Sequence, residues 1–225
     1  MSDNAFIRFL KEAGELSAFT GRFFRELFKP RQEWRELLRQ CFYVGNHSLA
    51  LVGTTAFIMG LVLTIQSRPT LVEFGAEAWL PKMVSISLIR EIAPVITALI
   101  CAGKVGSGIG AELGSMKVTE QIDAMDVSGT NPFKYLVVTR VLATTLMLPV
   151  LAVIADAVAL YGAYLGANIK GVVSWQLYWS QVFEALSYSD ALPAFVKTYF
   201  FGFAIGIVGC YKGFNSNKGT EGVGR

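Results

Sequence analysis

Ser48–Gln66 reads SLALVGTTAFIMGLVLTIQ, an apolar run without one charged side chain and without proline. A helix needs about 20 such residues to cross a hydrocarbon layer of about 30 Å. Only a helix or a closed barrel satisfies its backbone N–H and C=O groups where no water reaches them. Working outward, three more stretches are long and mostly apolar, though each carries at least one charged residue: Lys82–Ala102, Leu136–Gly166 and Ala194–Tyr211. No polar turn divides the third, so it reads as one tilted helix, with Pro149 as the place to kink it. The expected fold is an all-α integral membrane protein with about four transmembrane helices.

The composition agrees. The 225 residues are 53% hydrophobic and 16% charged, against about 25% charged in soluble domains. The mean hydropathy is +0.46. Cys41, Cys101 and Cys210 are far apart, and no Cys/His spacing suits zinc or redox chemistry, so they read as small packing residues. His47 is the only histidine, which excludes any mechanism needing two histidines from this chain. No secretory leader or transit peptide is read at the N-terminus, where acids and bases mix before the first apolar run.

Residues 1–45 form a separate region. Between residues 4 and 28, Phe6, Phe9, Leu10, Ala13, Leu16, Phe23, Leu27 and Phe28 recur mostly at three- and four-residue steps, with Arg8, Lys11, Glu12, Glu15, Arg22 and Arg25 on other faces. This predicts an amphipathic helix lying at the membrane surface; packing against other protein is the alternative. Pro30 should end it, and a second short basic helix with Arg31, Trp34, Arg35 and Arg39 should follow. Residues 46–225 then make the transmembrane domain.

Lysines and arginines crowd residues 1–45, the middle segment 103–135 and the tail after the fourth run, whereas Arg68 and Lys82 are alone between runs 1 and 2, and Lys170 between runs 3 and 4. The positive-inside rule places the N-terminus, the middle segment and the tail in the cytoplasm, and segment 170–193 outside. Trp175, Tyr178, Trp179 and Phe183 in that outer segment predict an aromatic helix on the membrane surface.

The middle segment, GKVGSGIGAELGSMKVTEQIDAMD from Gly103 to Asp126, is the densest signal. It is not a phosphate loop, because the GxxxxGK[ST] spacing is absent. Gly103, Gly106, Gly108 and Gly110 read instead as small residues allowing close helix approach. A short helix is expected over Ser115–Val127, with Glu120, Asp123 and Asp126 on an acidic edge and Ile122 and Met125 on an apolar side. Such a helix either docks a soluble partner or is simply solvated. Gly129 should stop it, and Asn131-Pro132 should cap the next helix.

The segment resembles the signature of the MlaE permease family, membrane subunits of ABC transporters that move phospholipid between the two membranes of Gram-negative bacteria. The matches fall at Gly103, Gly106, Ser107, Ala111, Glu112, Gly114, Met116, Lys117, Thr119, Glu120 and Gln121. Lys104 departs from the usual arginine. The stretch Ser87–Pro94, the pair Asn131-Pro132 and the tail Gly219–Arg225 also agree, so the resemblance covers nearly the whole chain. It implies a fifth transmembrane helix after Arg225; a fragment lacking it is the simplest reading, a natural four-span variant the other.

The resemblance implies an inner-membrane, multi-pass subunit that is homodimeric and non-catalytic, with ATP and magnesium on a partner ATPase and no cofactor in this chain. It implies an MCE-domain lipid-binding protein and a STAS-like cytoplasmic subunit as further partners, and no nucleic acid. The ATPase would couple through Glu112, Met116, Lys117, Thr119, Glu120, Gln121 and Asp123. Arg90, Glu91, Asp156 and Lys197 lie within apolar runs, where a charge costs about 2.5–3.5 kcal/mol on insertion scales unless partnered. The resemblance puts Glu91 and Lys197 in a lipid cavity; an ion pair locking two spans together is the equal alternative. By the same resemblance, Leu63, Leu71 and Phe74 would touch acyl chains. Two competing functions stay open: an ion-coupled secondary carrier using Arg90, Glu91 and Asp156, and a membrane-embedded lipid-modifying enzyme, for which no catalytic constellation is visible.

Overall fold

The computed structural model describes residues 5–29, 33–169 and 173–216. Within these residues the chain is helical throughout, without strands. Pro30, Arg31, Lys170 and the tail Gly219–Arg225, with the readings placed on them, lie outside the described residues.

In chain order the helices are α1 Ala5–Leu27, α2 Trp34–Glu73, α3 Glu77–Val118, α4 Gln121–Val127, α5 Phe133–Asn168, α6 Trp175–Ala185 and α7 Tyr188–Phe214. Four of them, α2, α3, α5 and α7, are long and apolar enough to cross a membrane. They correspond to the four apolar runs, but each outruns its run at both ends. The 40 residues of α2 rise about 60 Å, twice a hydrocarbon layer. The separate basic helix expected after α1 is thus the first part of α2. Gln40 donates to Glu36 at 2.7 Å, an i,i+4 bond that carries the helix through its polar start.

The chain divides into two compact units. One comprises residues 1–44, 102–144 and 203–225; the other comprises 45–101 and 145–202. The first is built on aromatic packing. Phe19 of α1 meets Phe133 at 5.0 Å and Tyr211 at 5.6 Å, both edge-on, and Phe23 meets Phe203 at 5.6 Å. Arg22 lies over the Phe133 ring at 4.2 Å. On α1, Phe19 and Phe23 are buried against protein, while Phe9, Leu10, Phe24 and Phe28 are exposed.

In the second unit, α2 and α5 meet backbone to backbone. A Cβ on Gly162 would lie 2.3 Å from the Phe57 carbonyl oxygen, so the contact needs glycine. α6 forms as the aromatic helix expected, capped by Ser174, whose hydroxyl accepts from the Leu177 N–H. The Tyr178 hydroxyl donates to Leu160 O at 3.1 Å, and Lys82 of α3 pairs with Glu184 at 3.0 Å.

Candidate functional site

Pro94 shapes the first constellation. It has no N–H, so the Arg90 carbonyl four residues earlier lacks its α-helical donor. The helix widens there into a π-turn over Leu88–Ile92, with the Ala93 N–H donating to Leu88 O. Lys197 of α7 fills the vacancy: its ammonium donates to Arg90 O at 2.8 Å and to Glu91 Oε2 at 2.9 Å. Arg90 reaches Asp190 at 3.5 Å and Glu91 at 4.0 Å. Two cations and two carboxylates thus form one formally neutral cluster on apolar helices.

The cluster stays open. The side chains of Arg90 and Glu91 are 59% and 61% exposed. The ion pair between Glu91 and Lys197 is formed, and its carboxylate stays exposed. Sequence reasoning missed Asp190; its signal was an acid in the first turn of α7, where the helix dipole favours one. Leu63 and Leu71 are half-buried on α2, and Phe74 just beyond it is exposed. Asp156 does not join the cluster and lines a separate cavity.

The middle segment differs from the single helix expected over Ser115–Val127. Residues 107–118 continue α3, so Glu112, Met116 and Lys117 belong to the end of a long helix. The chain then turns at Glu120, which adopts a left-handed φ of +56°, and α4 starts at Gln121. The turn needs a residue tolerating αL, and nothing in a Thr-Glu-Gln triplet announces it. Thr119, Glu120, Gln121, Asp123 and Asp126 are exposed, so the acidic edge is present, while Ile122 anchors α4 by burial. Lys117 spans the turn to Asp123 at 3.1 Å. Of the four glycines read as allowing close approach, Gly106 and Gly110 meet Gly209 and Gly213 of α7; Gly103 and Gly108 face open space.

Glu112 has a partner of its own. Arg140 of α5, only 3% exposed, donates to it at 2.7 Å and also to Leu136 O at 3.1 Å. This ties α3 to α5 just before the turn.

Past α4, Gly129 takes a φ of +82° and closes the helix, with the Thr130 N–H donating to Met125 O. Asn131 caps α5, its side-chain oxygen accepting from the Lys134 N–H at 3.2 Å. Its amide donates to Glu26 at 3.0 Å. Lys29, hydrogen-bonded to Glu26, holds that carboxyl below the usual carboxylate range; burial opposes this, and Asn131 and Arg22 assist it.

The candidate site thus comprises one formally neutral charge cluster on apolar helices and a short acidic helix held between two of them. The family profile described as Permease MlaE matches residues 37–225. A probable ABC transporter permease protein of Rickettsia typhi is 39% identical over 97% of this chain and 85% of its own length. A probable ABC transporter permease protein of Synechocystis is 37% identical over 91% of this chain and 78% of its own. The intermembrane phospholipid transport system permease protein MlaE of Haemophilus influenzae is 33% identical over 86% and 74%. The chain belongs to the MlaE family of ABC transporter permeases.

Proposed function

We propose that this chain is the permease subunit of an ABC transporter that moves phospholipid between the inner and outer membranes of a Gram-negative bacterium and so maintains outer-membrane lipid asymmetry. The observation that carries the reading is the exposed cluster of Arg90, Glu91, Asp190 and Lys197 on apolar helices. Charges held open in a hydrocarbon setting serve a polar cargo, and mutual pairing lets them insert without net charge. Arg90 and Lys197 offer cations to a phosphate. Leu63, Leu71 and Phe74 supply apolar contacts for acyl chains. The name of the Haemophilus relative supports phospholipid as that cargo.

In this reading the subunit is homodimeric, sits in the inner membrane with its N-terminus in the cytoplasm, and carries no cofactor. A separate ATPase binds ATP and magnesium and docks on α4 through Glu120, Gln121 and Asp123, with Glu112, Met116, Lys117 and Thr119 relaying the contact into α3. An MCE-domain protein takes the lipid outside, and a STAS-like subunit joins the ATPase.

The test is co-expression with the ATPase, reconstitution of the purified complex in nanodiscs, and mass spectrometry of bound lipid. Bound phospholipid, together with an ATPase that no longer co-purifies when Glu120→Lys and Asp123→Lys are introduced, is the expected result. A parent complex with neither ATPase nor lipid overturns the proposal.

A further inference from the structure

Asp156 belongs neither to the charge cluster nor to the docking segment. It lies on α5 twelve residues before Asn168, about 18 Å along the helix. It lines a cavity of about 290 Å³ whose other walls include Ile89 and Pro94 of α3, Val153 of α5, and Leu192 and Phe195 of α7. The cavity starts beside Tyr188, the first residue of α7 and 95% exposed, and reaches Thr198, about 15 Å deeper by helical rise. The Thr198 hydroxyl already donates to Phe195 O at 2.6 Å. Asp156 Oδ1 is shut off from solvent and has no hydrogen-bond partner among the described residues.

A shielded carboxyl oxygen without a donor is costly, and such groups are satisfied in almost all folded proteins. The cavity's lining is otherwise mostly apolar, so a bound molecule that supplies the donor has to tolerate apolar walls. A soluble amine would exchange its hydration for hydrocarbon; a lipid headgroup arrives already tethered to an apolar body. A cationic donor neutralises the carboxylate, whereas a headgroup with net negative charge adds a like charge beside it. The volume of about 290 Å³ leaves room for a lipid headgroup.

We propose that the cavity around Asp156 binds a lipid-borne primary ammonium, the headgroup of an aminophospholipid, and gives the transporter its headgroup preference. The inference rests on the phospholipid reading above, and its test separates the two. The complex with its ATPase is assembled in nanodiscs of mixed phosphatidylethanolamine and phosphatidylglycerol, and bound lipid is quantified for the parent and for Asp156→Asn. Parent complex without bound phospholipid sinks the transport reading. Bound phospholipid whose ethanolamine-to-glycerol ratio falls about tenfold in Asp156→Asn, at unchanged total, supports the ammonium site. An unchanged ratio overturns it.

Should Asp156→Asn fail to assemble, the parent complex still decides. A fluorescent hydrophobic carbodiimide should label Asp156 in pure phosphatidylglycerol nanodiscs, and phosphatidylethanolamine should suppress the labelling. Equal labelling in both lipids overturns the proposal. Suppression by free ethanolamine as strong as by the lipid overturns its lipid origin.

Discussion

Because Pro94 has no N–H, the Arg90 carbonyl depends on the Lys197 ammonium 2.8 Å away, and the two positions should not behave independently. Lys197→Met is expected to cost about 0.6 kcal/mol and at most about 1.7 kcal/mol, the average and the maximum measured for side-chain hydrogen bonds between membrane helices. Pro94→Ala returns an N–H to the helix and gives that carbonyl a local donor. In the Pro94→Ala background the same lysine change should cost at least about 0.5 kcal/mol less. The share lost with Glu91 is common to both backgrounds and cancels in the cycle. Strict additivity of unfolding free energies in bicelles would show that the lysine contributes only through Glu91. Glu26 makes a separate residue-scale claim about pH. Its folded carboxyl titrates below the ordinary value of 4.5, chiefly through Lys29. Its contribution to stability is therefore complete above that value and is lost as pH falls through the lower folded one. Glu26→Gln should lower the melting temperature at neutral pH, and the gap to the parent should close on acidification below about pH 4.5. A gap that stays constant with pH would assign Glu26 a packing role alone.

Among the helices, one substitution at two glycines separates close packing from open surface. Gly162→Ala puts a methyl 2.3 Å from the Phe57 carbonyl and should destabilise the α2–α5 contact by about 1–3 kcal/mol. Gly103→Ala meets nothing within 4 Å and should be neutral or stabilising by up to about 1 kcal/mol through helix propensity. Melting curves of the two purified variants would reverse this order if the helices packed elsewhere. The contrast also marks what was legible in the sequence. The four spans were, because predominantly apolar runs of about 20 residues or more suit a helix in a bilayer. Their ends were not: α2 begins fourteen residues before Ser48 because paired side chains such as Glu36 and Gln40 sustain a helix where hydropathy falls. The family motif marked the middle segment, and Asn131-Pro132 and Gly129 announced their own caps. The break at Glu120 stayed hidden because its left-handed backbone sits on a residue type that seldom adopts it. Lys197 and Glu91 were singled out, yet the meeting of Lys197 with Glu91 and with Arg90 O needed the fold, since Lys197 lies over a hundred residues from the neighbouring pair Arg90 and Glu91.

For the molecule as a whole, orientation in the membrane follows from where the cations sit along the chain. Arg22, Arg25 and Lys29 fall on α1 and beside it, Arg35 and Arg39 at the start of α2, Lys104 and Lys117 in the last part of α3, and Lys134 at the start of α5. Segment 170–193, with α6, carries Lys170 alone. An insertion machinery that retains positive charge in the cytoplasm should leave α4 inside and α6 outside. The natural cysteines suit a test: Cys101 and Cys210 are buried, and Cys41→Ser removes the partly accessible one. On that background, Ser128→Cys after α4 and Ser180→Cys on α6 introduce thiols at exposed positions. A membrane-impermeant maleimide applied to spheroplasts should label the α6 thiol and spare the α4 thiol, and lysis should expose both. Labelling of the α4 thiol in intact spheroplasts would invert the topology. It would also remove α4 as an ATPase docking helix, since ATP is supplied from the cytoplasm. That single result would undo the coupling proposal while leaving the family membership and the geometry of the Arg90 cluster untouched.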